Sequence, residues 1–304
     1  MDVEAVLAAH QYGKAETRVV RIYRDAAQHQ IRDLNVSTCL RGDFADAYLY
    51  GDQARVLPTD SQKNTAYAFA LERGVTDIET FALALARHFA DEFEPVRSAR
   101  IDVEEYEWER VRVAGDDHPH AFIRANKEAR TTSVTVEGRG TEQRVWVLSG
   151  LRDLVLLKST GSEFAGFLRD RYTTLAETHD RVMATALTAC WRHMRPKGPW
   201  DVLHASVRQV LVERFATLHS RALQESLWEM GKAVLATHGE IAEIRLSAPN
   251  KHHFLVDLSP FGLVNRGEVF HADDRPYGLI QCAVERDDAP SAGSSWQAPG
   301  SFAG

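Results

Sequence analysis

The stretch that decides the fold is Ile101-Asp-Val-Glu-Glu-Tyr-Glu-Trp-Glu-Arg-Val-Arg-Val113, in which two unlike sets of side chains alternate. Ile101 and Val103 belong to one set, and Tyr106 and Trp108 belong to the other. Successive side chains of a β-strand point to opposite faces of a sheet, so this period of two predicts a long strand with two different faces. A sheet made of such strands needs cover on both faces.

Strand patterns of this kind stand on both sides of helical segments, and the order occurs twice along the chain. Apolar residues from Ile78 to Phe93 recur at helical spacing behind the capping candidates Thr76 and Asp77, which predicts an amphipathic helix. In the second half, helical patterns at 207–218 and 223–235 again lie between strand patterns. The predicted strands are 17–24, 31–40, 101–113, 121–124, 133–137, 144–158, 241–246, 253–258 and 279–284.

Strands grouped around helices, without a regular strand-helix-strand alternation, predict an α+β fold in which helices cover one face of an antiparallel sheet. The repeated order predicts two similar modules in tandem. Long strands with two unlike faces also fit a sheet that is closed into a barrel by association of subunits, which removes exposed sheet edges. We therefore expect a homo-oligomer.

Composition and charge exclude several classes of protein. The 304 residues, of which 44% are hydrophobic and 26% charged, suit a globular protein of two domains, and no apolar run is long enough to cross a bilayer. The formal net charge of -7 argues against non-specific binding to nucleic acid, which needs a basic surface. Cys39, Cys190 and Cys282 form neither a disulfide framework nor a zinc pattern, so we expect reduced thiols.

The two ends of the sequence differ from known targeting signals. The acidic start, Met1 to Glu4, lacks the basic and apolar segments of a secretory signal. Residues 287–304 are rich in Ala, Ser, Gly and Pro, which predicts a disordered tail. The last residues, Ser301 to Gly304, differ from the Ser-Lys-Leu peroxisomal signal. We expect a cytoplasmic protein.

Four short strings contain polar and charged residues that neither secondary-structure propensity nor solubility explains. They are Tyr12-Gly-Lys14, Leu57-Pro-Thr-Asp-Ser-Gln-Lys-Asn-Thr65, Leu156-Leu-Lys-Ser-Thr-Gly-Ser-Glu-Phe-Ala-Gly-Phe167 and Ala248-Pro-Asn-Lys-His-His-Phe254. Together these strings resemble the urate oxidase (uricase) family, and the string at 156–167 is the most distinctive. The resemblance extends from about Gln11 to about Arg286.

The resemblance implies both a fold and a reaction. The fold is two tandem tunnelling-fold (T-fold) modules, at 9–141 and 142–286, followed by the tail at 287–304. Four copies form a homotetramer that encloses a tunnel, with active sites at the interfaces between subunits. The family oxidises urate with O2 and water to 5-hydroxyisourate and hydrogen peroxide, and it uses neither a metal nor an organic cofactor. The expected partners are urate, O2 and other copies of the chain.

The catalytic residues that the resemblance implies are Lys14, Thr59 and His252. Oxidation of urate requires removal of a proton, and a lysine can act as the base only where burial or a neighbouring cation lowers its pKa. We expect His252 to help in this, and Thr59 to relay the proton between the amine and the substrate or water. The alternatives are a solvated surface lysine and a threonine that caps a helix.

The substrate-binding residues implied by the resemblance supply a stacking face and polar groups. A purine stacks on an aromatic ring such as Phe164, while the guanidinium of Arg181 offers two donors in a rigid pair. The amide of Gln224 can both donate and accept, and that of Asn250 can donate to oxygen or peroxide above the purine. The full set is Thr59, Asp60, Phe164, Arg181, Leu223, Gln224 and Asn250, with Thr59 and Asp60 contributed by the neighbouring subunit.

Structural interpretations of these binding residues remain open at this point. Arg181 could instead pair with Glu177 on a helix, and Phe164 could be an ordinary core residue. Asn250 could form a turn after Pro249. Each interpretation predicts a local environment that differs from that of a purine site.

Two other functions are alternatives to urate oxidation. A zinc hydrolase on the same general fold, as in the pterin-forming cyclohydrolases, would have to bind its metal through His118, His120, His252 or His253, which follow no recognised ligand spacing. A non-catalytic purine-binding protein is the other alternative.

The sequence also departs from the family at two apolar positions. Leu223 replaces a Val common in the family and Ala165 replaces a Trp of some members. We expect these changes to affect affinity and not reaction type.

Overall fold

The computed structural model describes residues 4–297, apart from the side chains of residues 125 and 126. These residues form two compact units. Unit 1 contains residues 4–150, 192–201 and 290–297, and unit 2 contains residues 151–191 and 202–289. Among the described residues, no helix is both long enough and apolar enough to span a bilayer.

Unit 1 is an antiparallel sheet with helices between its second and third strands. β1 pairs with β2, β2 with β3 and β3 with β4, each time antiparallel. β5 begins in unit 1 and continues into unit 2. The elements are β1 (Thr17–Tyr23), β2 (Gln30–Gly42), α1 (Ala45–Leu49), α2 (Thr59–Glu72), α3 (Ile78–Glu92), β3 (Val96–Val113), β4 (Asp116–Glu137) and β5 (Arg144–Lys158).

Unit 2 has the same order of strands and helices. After β5 the chain forms β6 (Met183–His193), α4 (Trp200–Thr217), α5 (Leu223–Thr237), β7 (Ile241–Leu255) and β8 (Phe270–Glu285). β7 and β8 pair antiparallel. The predicted α+β class, antiparallel sheets and tandem repeat of strands, helices and strands are confirmed.

The core of unit 1 follows from two periodicities that were visible in the sequence. Asp77 caps α3, since its side chain accepts a hydrogen bond from the backbone N–H of Thr80 at 2.6 Å. The buried side of α3 includes Phe89, which has no exposed surface. Ile101 and Val103 on alternate positions of β3 are buried in the same cluster. The apolar side of α3 thus packs against the apolar side of β3, as expected for a helix on one face of a sheet.

The core of unit 2 depends on a close approach of α5 to the sheet. Leu227 and Val234 of α5 are buried in one cluster with Ile244 of β7 and Val284 of β8. A Cβ added to Gly231 in α5 would lie 2.6 Å from Cγ2 of Val284. Glycine therefore permits a helix-to-sheet distance that a larger residue would prevent.

Several predicted boundaries were wrong. The strand patterns at 121–124 and 133–137 belong to the single strand β4, and those at 241–246 and 253–255 belong to β7, which ends at Leu255 and leaves 256–258 outside the strand. α2 and β6 were not predicted. The first two turns of α2 are almost wholly polar, so they lack the apolar spacing by which a helix is recognised. The two compact units divide at residues 150 and 151, within β5, while the module boundary between 141 and 142 stays a prediction.

The predicted disordered tail is wrong for residues 290–297, which pack in unit 1. The guanidinium of Arg100 donates to the carbonyl oxygen of Ser295 at 2.9 Å, and the hydroxyl of Ser294 donates to Glu137. Ser295 is buried. These contacts explain the order of a segment whose composition is typical of disorder. Residues 298–304 lie outside the described residues.

A buried polar cluster in unit 1 contains two ionisable groups that face one hydroxyl. Ser149 donates to the carboxylate of Glu79 at 2.6 Å and lies 2.9 Å from Nε2 of His193. Arg130 forms an ion pair of 2.6 Å with the same carboxylate. Burial raises the pKa of Glu79, while Arg130 opposes this shift. Burial lowers the pKa of His193 from 6.5 to about 3.

The depressed pKa of His193 predicts a loss of stability in acid. Below pH 6.5 the unfolded chain binds a proton that the folded chain takes up only near pH 3, so the free energy of unfolding falls by at most about 1.4 kcal/mol per pH unit in this window. We expect His193→Gln to remove about 3 kcal/mol of the loss between pH 7 and pH 4. Urea unfolding at each pH, at one protein concentration, measures this free energy of unfolding.

The matched control is His271→Gln, which replaces an exposed imidazole. We expect its unfolding free energy to follow that of the unsubstituted protein at each pH. An equally steep acid dependence in the His193→Gln protein would show that this imidazole does not titrate differently on unfolding.

Candidate functional site

Lys14 is held beside β2 by the residues that precede it. The backbone N–H of Tyr12 donates to the carbonyl oxygen of Leu40 at 3.1 Å, and that of Leu40 donates back at 2.7 Å. A Cβ added to Gly13 would lie 1.8 Å from the carbonyl oxygen of Thr38, so only glycine fits there. The Tyr-Gly-Lys string is thus a close backbone contact that places a half-buried lysine next to β2.

Thr59 and Asp60 open helix α2, also in unit 1. Pro58 occupies the N-cap position, and no described side chain caps the first turn. Asp60 is exposed and accepts hydrogen bonds from Lys63 at 2.5 Å and Asn64 at 2.9 Å. These two bonds, followed by the nearby charges of Lys63 and Lys14, lower the pKa of Asp60.

Phe164 lies in unit 2 within a loop that is fixed by backbone hydrogen bonds. Its N–H donates to the carbonyl oxygen of Thr178 at 2.8 Å, and the N–H of Thr178 donates back at 3.0 Å. The ring stacks on that of Phe167, with centroids 5.0 Å apart and an angle of 14° between planes. Phe164 is half-buried. An aromatic face is thus held in a defined place without belonging to the core.

Arg181 lies beside Phe164. Its backbone N–H donates to the carbonyl oxygen of Ser162 at 2.8 Å, and its guanidinium carbon lies 5.5 Å from the centroid of the Phe164 ring. Burial lowers the pKa of Arg181. Its Nε is buried and has no hydrogen-bond partner among the described residues. A partly desolvated cation with an unsatisfied donor is suited to bind an anion.

Leu223 and Gln224 are connected to the Phe164 loop through Ser220. The carbonyl oxygen of Ser220 accepts from the backbone N–H of Glu163 at 2.8 Å, and its own N–H donates to Gly161 at 2.9 Å. The Ser220 hydroxyl lies 2.6 Å from that of Ser226 in α5. Leu223 is buried at the start of α5, whereas Gln224 is exposed. The loop with Phe164 and the start of α5 thus form one framework.

Asn250 and His252 lie on β7 at an irregular point of the sheet. Asn250 is opposite Gly278 and His252 is opposite Asp273, so β8 has additional residues between these two pairs. Such bulges redirect side chains. The rings of His252 and Phe254 stack with centroids 5.5 Å apart. His252 also lines a cavity of about 330 Å³ that contains no other predicted site residue.

The structure thus assembles the predicted residues into groups within each unit. Unit 1 holds Lys14, Thr59 and Asp60, and unit 2 holds the others. Phe164, Arg181, Leu223 and Gln224 are linked by the bonds above, whereas Asn250 and His252 share only the strand. The sequence does not point to four residues that fix the backbone around these groups, which are Thr38, Gln62, Ser162 and Ser220. Gln62 lies within the quoted 57–65 string, but its side-chain partner Thr38 is 24 residues away in sequence.

The structural alternatives for three site residues are wrong. Glu177 lies 3.8 Å from Arg169 and leaves Arg181 to its own loop. Pro249 and Asn250 lie inside β7 and form no turn. Thr59 is the first residue of α2 and not its cap.

Within the part of the chain that the structure describes, no group of three or more His, Cys, Asp or Glu side chains is placed to hold a metal ion. His118 and His120 contact each other edge to face, with ring centroids 4.5 Å apart. The histidines named for a zinc hydrolase therefore do not assemble into a ligand set among the described residues.

Comparison with known proteins gives one family. The family model described as Uricase matches residues 10–135 and 147–281. A uricase of Arthrobacter globiformis is 48% identical over 96% of this chain and 94% of its own length. A uricase of Aspergillus flavus is 36% identical over 95% of this chain and 99% of its own.

Solved structures agree with this result. The crystal structure of the Arthrobacter globiformis uricase covers 97% of this chain and 100% of its own, with a TM-score of 0.91. A uricase from Bacillus fastidious, at 24% identity and a TM-score of 0.82 over 93% of this chain and 96% of its own, supports the fold. The two repeats seen here are T-fold modules in tandem. The chain belongs to the uricase family.

Proposed function

We propose that this protein is a urate oxidase that converts urate, O2 and water to 5-hydroxyisourate and hydrogen peroxide without a metal or an organic cofactor. The reaction balances as written. Urate gives up two electrons and two protons, O2 takes them to become hydrogen peroxide, and water supplies the new hydroxyl group. The protein then has to bind a purine anion, hold oxygen and water beside it, and move protons.

The observation that supports this function best is the environment of Arg181. Its guanidinium is partly desolvated, its Nε lacks a partner among the described residues, and it lies beside the Phe164 ring. Urate is planar and negatively charged, so it can occupy an aromatic face and accept from a guanidinium at the same time. Among the described residues, no carboxylate of the protein forms an ion pair with the Arg181 guanidinium.

Gln224 and Asn250 complete the binding site in this proposal. The exposed amide of Gln224, at the start of α5, can donate to a carbonyl oxygen of urate and accept from the adjacent N–H. Asn250 provides a neutral donor for peroxide as it develops. Leu223 is buried, so it contributes backbone groups and pocket volume.

Lys14, Thr59 and His252 form the proposed proton relay. The amine of Lys14 takes a proton from urate through the hydroxyl of Thr59, which can accept and donate in one step. His252 exchanges protons with the same amine and with water. Hydrogen bonds of Thr38 support this pairing, since its hydroxyl accepts from the N–H of Lys14 at 2.9 Å and donates to Gln62 of α2 at 2.5 Å.

We further propose a homotetramer in which Lys14, Thr59 and Asp60 of one subunit meet Phe164, Arg181, Gln224 and Asn250 of a neighbour. Within one chain, the first three of these residues lie in unit 1 and the other four in unit 2. Such an assembly also covers the sheet faces that helices leave open. A site of this kind exists only in the oligomer.

The proposed reaction is tested directly with metal-free protein and urate. We expect loss of the near-ultraviolet band of urate together with uptake of one O2 and formation of one hydrogen peroxide for each urate. A protein that binds urate without oxygen uptake would be a purine-binding protein. Activity that appears only with stoichiometric zinc would support the hydrolase alternative.

The proton relay predicts the effect of removing its members. We expect Lys14→Met and Thr59→Ala to lower kcat by about 100-fold or more, because each removes a proton-transfer group. The oligomer should persist and still bind urate. Lys197→Met, which replaces an exposed lysine of unit 1, is the control for loss of a positive charge away from the relay. Near-normal kcat in both relay variants would contradict the assignment.

The pair of parallel donors on the Arg181 guanidinium predicts that lysine cannot replace this residue. Lysine keeps the charge but loses the pair of parallel donors, so we expect Arg181→Lys to weaken urate binding by about 10- to 100-fold. Arg169→Lys is a matched control, since Arg169 contacts the ring of Phe167 in the same loop but pairs with Glu177. Equal urate affinity in the two variants would show that Arg181 does not bind urate through two parallel hydrogen bonds.

A further inference from the structure

The side chains of Thr38 and Gln62 connect the two parts of unit 1 that carry Lys14 and Thr59. Thr38 lies on β2 and Gln62 lies on α2, and both side chains are buried. The hydroxyl of Thr38 donates to Oε1 of Gln62 at 2.5 Å. This bond joins a strand to the first turns of a helix in the middle of the proposed relay.

Thr38 fixes the backbone of Lys14 from both sides. Its hydroxyl oxygen accepts from the N–H of Lys14 at 2.9 Å, and its own N–H donates to the carbonyl oxygen of Lys14 at 2.8 Å. A hydroxyl has one proton to donate and can accept as well. With its proton given to Gln62, the oxygen of Thr38 is oriented to accept from Lys14.

Gln62 fixes the chain immediately before Thr59. Its Nε2 donates to the carbonyl oxygen of Leu57 at 3.2 Å, and its backbone N–H donates to Pro58 at 3.2 Å. Since no described side chain caps α2, these bonds hold the start of the helix. One buried amide thus bonds toward Lys14 on one side and toward Thr59 on the other.

We propose that Gln62, acting through Thr38, is a positioning residue that sets the location of the Lys14 amine relative to the Thr59 hydroxyl. The proposal rests on the relay of Lys14 and Thr59 assigned above. Proton transfer depends steeply on distance, and a displacement of about 1 Å can cost about 100-fold in rate. Gln62 and Thr38 do not touch urate in this account, so their loss lowers kcat more than it raises KM.

A merely structural role makes a different prediction. A buried hydrogen-bonded pair loses most stability when one partner is removed, because the other is left unsatisfied, and loses little when both become apolar. Gln62→Met and Thr38→Val retain approximate shape without the bond. The double variant therefore separates stability from positioning.

We expect Gln62→Met to lower kcat by about 10- to 100-fold with KM for urate within about threefold of that of the unsubstituted protein. Thr38→Val should give a similar loss. In the double variant, resistance to urea should return only in part, because the N–H of Lys14 and the carbonyl oxygen of Leu57 still lose their side-chain partners, while kcat stays low. Recovery of kcat together with stability, or normal kcat in folded Gln62→Met protein, would overturn the proposal.

Three further variants serve as controls. Thr132→Val removes a buried threonine hydroxyl that donates to Leu148 at 2.7 Å in the same unit, and kcat should stay within about threefold. Thr38→Ser keeps the hydroxyl and should retain most of kcat. In a Lys14→Met background, Gln62→Met should cause no further loss, because the group that it positions is gone.

These outcomes are independent of the proposed function itself. Absence of oxygen uptake by the unsubstituted protein would reject urate oxidation before any variant is compared. With that activity present, an additive loss from Gln62→Met in the Lys14→Met background would reject only the positioning role.

Discussion

The partly desolvated guanidinium of Arg181 is the interaction on which the rest of the proposed site depends. A buried cation is costly unless an anion or other acceptors surround it. Its backbone is held by Ser162, its guanidinium faces the ring of Phe164, and Nε has no partner among the described residues. Urate would supply the missing acceptor and lie on the aromatic ring, so the substrate itself satisfies the site.

The proposed proton-transfer groups are positioned instead by close backbone packing. Gly13 lies so near Thr38 that no side chain fits, and the resulting contact places Lys14 against β2. Thr38 and Gln62 then extend this contact to the start of α2. In the proposed site, charge recognition belongs to unit 2 and proton transfer largely to unit 1, and the proposed mechanism joins the two through association of subunits.

Sequence patterns predicted the elements whose periodicity is local. Asp77 and the apolar spacing behind it gave α3, and the alternation from Ile101 gave most of β3. α2 was missed because its first turns are polar, although they contain Thr59 and Asp60. The site residues followed from the family resemblance, since their types alone are common on surfaces. The bond between Thr38 and Gln62 was out of reach because it depends on how a helix 24 residues away packs.

The most direct test of a site shared between subunits is activity after mixing two inactive proteins. Lys14→Met and Arg181→Ala chains are unfolded together, refolded as an equal mixture and assayed for oxygen uptake with urate. If Lys14 and Arg181 of a site come from different subunits, about one quarter of the sites regain both residues, and activity returns to about that fraction. Activity no higher than that of the separately refolded variants would contradict the account.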